Sequence, residues 1–264
     1  MKKCVIKCQK ENQDLYTEIL FAKGALSVSE YESPSTEVSS KQELSTIKLE
    51  AFFESEIDLG LPNPIWSTVQ DEQWKTMSTL IVGPYQLNCP NTVFGDGNHP
   101  TTELCKRILK INLDNYAGVL KDLSCLDIGT GSGILAVWAS VLGVGQVDAC
   151  DIDPESVRIT SENISKNKID NITVFQEDIL KWESQKKYDI VIANVLTEVL
   201  EKALEKIIAL VNQNGLLILS GISEHWADAF ESKLNKLKQN QLNSIEINSF
   251  FENGWVGFLL RVKD

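Results

Sequence analysis

Residues 126–136 read LDIGTGSGILA. An apolar run holding one aspartate meets glycines at 129, 131 and 133 and passes at once into SGILAVWASVLG, whose apolar residues suit a helix buried against a sheet. A buried strand that turns through glycines into a helix brings backbone N–H groups close to a ligand at the helix start. That reading predicts an α/β sheet with its site at the carboxyl ends of the strands.

The flanking sequence continues the alternation. Ahead of the turn, TTELCKRILKIN from Thr101 reads as a helix and SCLDIG as the strand. Beyond it follow strand VDACDI, helix PESVRITSENISKN with proline in its first turn, and strand ITVFQ. YDIVIAN is a strand, TEVLEKALEKIIALV a helix, LLILSG a strand and SEHWADAFESKLNKL a helix. NSIEINSFF and WVGFLLRV are strands joined by the turn ENG, so at least one strand is antiparallel in a mostly parallel sheet covered on both faces.

The glycine turn alone is moderately specific, because nicotinamide enzymes use a related one. A dinucleotide fingerprint wants Gly or Ala at the third position after Gly131, and that position is Ile134. Asp127 just before a GxGxG turn is instead the arrangement expected for S-adenosylmethionine. The next strand ends in CDIDP, which places Asp151 where a carboxylate accepts the two hydroxyls of a ribose, and Asp153 where it caps the following helix. In QEDIL, Asp178 is a candidate acceptor for an adenine amine. Asn194 ends the strand IVIAN; its side-chain carbonyl can orient an attacking amine, and capping the next helix is the competing role.

Residues 1–57 read as a small α+β unit: strand CVIKC, helix ENQDLYTEILFAKGA, strand LSVSEYE, polar loop SPSTEVSSKQ and strand TIKLEAFFE. Its core is too small for chemistry, and substrate docking is its expected task. Residues 58–92 read as a linker, with LGLPNPIW breaking structure, QDEQWKTM as a helical turn and TLIVGPYQL as a strand ending near Pro84. The third unit is 93–264.

The 264 residues are 43% hydrophobic and 23% charged, as in an ordinary globular protein. No apolar run approaches the roughly 20 residues of a membrane-spanning helix, and MKKCVIKCQKENQD is not expected to act as a signal peptide. Six cysteines without a CxxC pair, and only two histidines, point to reduced thiols in a cytoplasm and to no zinc site. A net charge of −12 argues against direct nucleic-acid binding and favours cationic partners such as a lysine-rich protein.

One further stretch, FGDGNHPTT at 94–102, comes ahead of LDIGTGSGILA. With DIDP, ANVL, LLILSGI and ENGWVGFLL in this order, it resembles the methyltransferase family of large-subunit ribosomal protein eleven (PrmA) over residues 93–264. The resemblance implies a class I methyltransferase domain, Rossmann-like with a mostly parallel seven-stranded sheet and an antiparallel strand. It also implies a small ferredoxin-like domain that docks the protein substrate. The activity it implies is transfer of methyl groups from S-adenosylmethionine to lysine or N-terminal amines of a ribosomal protein.

By position, Phe94 and Gly95–Thr102 would lie over the cofactor, with Thr101 or Thr102 at its methionine moiety. Asp127, Gly129 and Gly131 would line methionine and ribose, Asp151 would hold the ribose, and Asn194 would face the amine. Ser220 and Gly221 would border the same crevice. The family reads FGTGTHPTT where this chain has Asp96 and Asn98, and its tryptophan-rich stretch is reduced here to Trp66 and Trp74. Asp96 is therefore a candidate for attracting a cationic substrate or relaying its proton, with a plain turn aspartate as the competing reading. His99, before a proline, is expected to be extended and to pack or cap the helix. Methylation of another protein or a small amine, or cofactor binding without catalysis, are the rival functions.

Overall fold

The computed structural model describes residues 2–25, 27–32, 46–53, 55–68, 77–90, 97, 99–241 and 245–263. It divides into two compact units, Met1–Thr76 and Met77–Asp264.

The first unit holds β1 (Lys2–Gln9), α1 (Gln13–Ala22), β2 (Ser27–Glu32), β3 (Thr46–Phe53) and β4 (Ile65–Thr68). The sheet order is β2-β3-β1-β4 with every neighbour antiparallel. Strand β3 thus lies between β1 and β2, which run the same way and are joined through α1. That is the split βαβ of a ferredoxin-like fold. Between β3 and β4 the described residues 55–64 contain no helix. Alternate residues Cys4, Ile6 and Cys8 of β1 and Ile47, Leu49, Ala51 and Phe53 of β3 close on Leu20 of α1 as one small core. The expected loop at 33–42 lies outside the described residues, as does the helical turn expected at 70–77 except for Met77, which opens a strand.

The second unit opens with an antiparallel hairpin, β5 (Met77–Val82) and β6 (Tyr85–Pro90). The strand expected to stop near Pro84 therefore turns and continues. Gly83 has φ 57° at the first central position of a two-residue turn, and Pro84 supplies the second. Thus the segment 58–92 carries β4 in the first unit and β5–β6 in the second.

The remaining elements are α2 (Pro100–Asp114), β7 (Ser124–Ile128), α3 (Ile134–Val141), β8 (Gln146–Asp151), α4 (Pro154–Asn167), β9 (Ile172–Gln176) and β10 (Tyr188–Asn194). Then come α5 (Thr197–Ala209), β11 (Val211–Ser223), α6 (Glu224–Gln241), β12 (Ile245–Glu252) and β13 (Trp255–Val262). The sheet order is β12-β13-β11-β10-β7-β8-β9. Strands β7 to β11 pair in parallel, while β13 is antiparallel to both β11 and β12.

Alternation along each strand feeds two apolar layers. Val191, Ala193, Leu217 and Leu219 meet α5 and α6 through Leu200, Leu204, Ile207 and Phe230. Ile190, Ile192 and Ile218 face the other way, onto Ile108 and Leu109 of α2 and Leu135 and Ala136 of α3. With both faces covered, the open ground is the carboxyl rim of β7, β8, β10 and β11, where Asp127, Asp151 and Asn194 lie, with Asp178 following β9 at the edge of the sheet.

Candidate active site

The glycine turn after β7 is held from three sides. The N–H groups of Gly129 and Thr130 both donate to the Cys150 carbonyl of β8, at 2.9 and 3.0 Å. Gly131 N–H donates to Asp151 Oδ2 at 3.0 Å. Gly129, Gly131 and Gly133 all have positive φ (72°, 56° and 86°). A Cβ on Gly129 would lie 2.2 Å from Val195 Cγ1, so at that position glycine serves both conformation and space. Val195 also lies against Gly221, where a Cβ would come 2.1 Å from its carbonyl oxygen. One residue after Asn194 thereby spaces the ends of β7, β10 and β11.

Asp127 is buried in β7. Its Oδ2 accepts from Thr130 Oγ1 at 2.7 Å and from the Ala136 N–H at 3.1 Å. Its Oδ1 is buried without a hydrogen-bond partner. Burial pushes its carboxyl up to about 7, against the opposing pull of the Thr130 and Ala136 hydrogen bonds, and the nearby Asp151 charge adds to the rise. Two more buried side-chain oxygens lack a partner, Thr102 Oγ1 and Asn194 Oδ1. Buried polar atoms are nearly always bonded, and among the described residues these three are the exceptions. All three sit on predicted site residues. Asn194 faces Ser220 across the β10–β11 ladder, two residues beyond Ile192, which pairs with Asp127. The residue that caps α5 is Leu196, so the Asn194 side chain is not spent on that helix.

Thr102 reaches this rim from α2. His99 caps that helix with φ −68° and ψ 136°, its Nδ1 within 2.8 Å of Thr101 Oγ1, and its ring stands edge-on to Trp255 at 4.8 Å. The histidine therefore both caps and packs, fixing the first turn in which Thr101 and Thr102 are fully buried. Ser220 Oγ donates to the Thr101 carbonyl at 3.4 Å, which ties β11 to the same turn. Phe94, Asp96 and Asn98 lie outside the described residues.

Asp151 is half-buried at the end of β8. Its oxygens accept from Gly131 N–H and Asp153 N–H, both at 3.0 Å, and burial raises its carboxyl above the usual range. Each oxygen keeps a second lone pair for a hydroxyl. Asp153 caps α4 through Glu155 and Ser156, as its place before proline predicts. Asp178 differs. One of its oxygens accepts from Leu180 N–H and the other pairs with Lys181, both at 3.0 Å, and that lysine holds the carboxyl below its usual range. The Glu177 N–H donates to the Asp151 carbonyl at 2.9 Å, so Asp178 follows a residue tied to the end of β8 while its own carboxylate is engaged locally.

Sequence reasoning did not single out Val195, Thr130, Thr160 or Asn163, although each shapes the turn. Thr160 Oγ1 donates to the Gly131 carbonyl at 2.8 Å and Asn163 Nδ2 to the Ser132 carbonyl at 2.9 Å. Their one signal is a helical stripe of small polar residues at 156, 160, 163 and 167, an unusual composition for a sheet-facing side.

A family model described as ribosomal protein L11 methyltransferase (PrmA) matches residues 63–262. Relatives named ribosomal protein L11 methyltransferase include one from Staphylococcus haemolyticus, 37% identical over 63% of this chain and 50% of its own length. Another, from Staphylococcus saprophyticus, is 34% identical over 73% of this chain and 56% of its own length. The chain thus spans about half the length of the curated relatives it matches. The crystal structure of the ribosomal protein L11 methylase from Lactobacillus delbrueckii subsp. bulgaricus superposes with a TM-score of 0.54 at 32% identity, covering 65% of this chain and 82% of that one. A tRNA m1G37 methyltransferase from M. jannaschii shares the fold across 99% of both chains, with a TM-score of 0.54 and 12% identity. The seven-stranded sheet is that of the class I methyltransferases. By its family match, the chain belongs to the ribosomal protein L11 methyltransferase family.

Proposed function

We propose that this family member transfers methyl groups from S-adenosylmethionine to lysine or N-terminal amines of ribosomal protein L11, as a cytoplasmic enzyme. The observation that carries the reading is the set of buried, unpartnered oxygens on Thr102, Asp127 and Asn194, grouped on α2 and on neighbouring strands beside the glycine turn. Two are pure acceptors. S-adenosylmethionine carries the donors that would complete such a set, an ammonium, two ribose hydroxyls and an adenine amine, and so the residues present fit it.

When bound, the cofactor supplies a methyl group on a sulfonium, which is already an excellent leaving group. The chain's own task is therefore alignment. Asp127, against the glycine turn, receives the methionine ammonium. The free lone pairs of Asp151 take the ribose hydroxyls, and Thr101 and Thr102 border the methionine. Asn194 Oδ1 accepts an N–H of the incoming amine and so points the nitrogen lone pair at the methyl carbon. A lysine, with a reference pKa of about 10.4, must first shed a proton, whereas an α-amine near 8 largely need not. On the sequence alone, Asp96 is assigned to draw in that cation. The unit ending at Thr76 is assigned to docking the protein substrate, with no direct role for nucleic acid.

Incubation with radiolabelled S-adenosylmethionine and undermethylated ribosomes tests the reading. Label on the L11 band is expected. Label on another protein or a small amine replaces the substrate, and binding without turnover replaces the enzyme with a cofactor-binding protein.

A further inference from the structure

We propose that Asn163 is the positioning residue that locks the glycine turn to the β5–β6 hairpin, so that cofactor affinity depends on a side chain that touches neither cofactor nor substrate. This rests on reading the glycine turn as the S-adenosylmethionine site.

Helix α4 turns one face, Thr160, Asn163 and Asn167, toward both structures, since residues three and four apart share a helix face. Asn163 Oδ1 accepts from the Asn88 N–H at 2.7 Å and its Nδ2 donates to the Asn88 carbonyl at 2.8 Å. Asn167 repeats the pattern on Gln86, at 3.0 and 2.9 Å. The match has a geometric cause. Four helical residues rise about 6 Å and two strand residues about 6.7 Å, so amides at i and i+4 meet backbone groups at i and i+2. The two asparagines act as a neighbouring strand along the outer edge of β6.

They differ in where the second amide hydrogen goes. Asn167 returns it to its own helix, at the Asn163 carbonyl, 2.7 Å away. Asn163 sends it to the Ser132 carbonyl. With Thr160 holding the Gly131 carbonyl, two successive carbonyls of the turn point into α4. Across a trans peptide the following N–H points the opposite way, so the N–H groups of Ser132 and Gly133 are aimed away from α4. Thr160 Cγ2 would lie 2.8 Å from a Cβ on Gly133, which closes the packing beneath the turn. Asn163 is 1% exposed and spends both N–H groups this way. Beyond Asn88, β6 leads through Pro90 toward the segment that ends at His99, the cap of α2.

Three variants of the full chain separate positioning from general stability. Asn163→Asp is nearly isosteric and keeps the acceptor for Asn88 N–H, but it replaces both donations by a carboxylate facing carbonyls. Thr160→Val removes only the bond to Gly131. Asn167→Ala loosens the hairpin and leaves the turn untouched. S-adenosylhomocysteine binding by calorimetry, amide hydrogen exchange across 129–133 and Tm are measured on each. The expected result is a Kd raised about tenfold by N163D and T160V with faster exchange in the turn, and a Kd within about twofold of the parent for N167A despite a lower Tm. A Kd unchanged in N163D overturns the proposal, as does one that merely tracks Tm across all three. Should N163D not fold, an unchanged Kd in T160V overturns it. A parent protein that does not bind S-adenosylhomocysteine refutes the cofactor reading itself.

Discussion

Asp127 and Asp178 both stand at the carboxyl rim of the parallel sheet, and their surroundings are opposite. The inner carboxylate is fully enclosed, keeps one oxygen without a donor, and is pushed up to about 7 by burial. The outer one is partly exposed, has a backbone partner on one oxygen and Lys181 on the other, and is held low by that lysine. Position at a strand end therefore does not by itself set a carboxylate's surroundings: the rim grades from buried acceptors without donors at β7 and β10 to local satisfaction beyond β9.

The sharpest way to break this contrast is at its inner extreme. Asn194→Ala should lower kcat about a hundredfold, the cost typical of a misplaced reacting group, while S-adenosylhomocysteine affinity stays within about threefold. A variant that retains its turnover would remove Asn194 from the amine pocket. Asp151 is intermediate, since its carboxylate serves the turn and still has lone pairs to offer. Asp151→Ala should weaken cofactor binding between about tenfold and a hundredfold, the range for hydrogen bonds to a charged group. Calorimetry that finds the affinity intact would move the ribose elsewhere.

Titration probes the inner wall directly. A carboxyl near 7 is protonated at pH 6, and it must ionise to receive an ammonium. Affinity should therefore rise about eightfold from pH 6 to 7.5 with release of a proton, and Asp127→Asn should bind weakly with no such step. The same shift acts on folding with the opposite sense. The unfolded chain ionises Asp127 near 3.9 and the folded one only near 7, so its contribution to stability is present below about pH 4 and is lost as pH rises toward 7. Asp151, also raised, adds in the same direction. Binding that is level with pH across this window would mean the ammonium is met by another group.

Much of the rim could be read from the chain because its signals are local. Asp153 followed by Pro154 marks the start of α4, and strand, glycine turn and helix follow each other within eleven residues from Leu126 to Ala136. The hairpin at Gly83 was hard to read because its loop is only Gly83 and Pro84, with no polar stretch to separate TLIV from YQL. Val195 and Asn163 were hidden for another reason. Their partners are distant in sequence, Gly129 for the first, and Asn88 and Ser132, 75 and 31 residues away, for the second. No periodicity carries such information. Asp178 shows the converse, since the lysine three residues on was visible but its effect depended on the chain curling into a turn after β9.

The smallest effect is expected at that outer carboxylate, and it tests the contrast most finely. Asp178→Asn keeps the side chain's shape and an oxygen for the Leu180 N–H or for an adenine amine, but removes the charge that holds Lys181. Exposed ion pairs contribute little, and an adenine amine asks for one acceptor, which the amide retains. Cofactor affinity should therefore change by less than about threefold. A loss of tenfold or more by calorimetry would show that the charge itself matters to the ligand. In that case Lys181 would be a partner displaced on binding, and a satisfied carboxylate could serve the cofactor as well as an orphaned one.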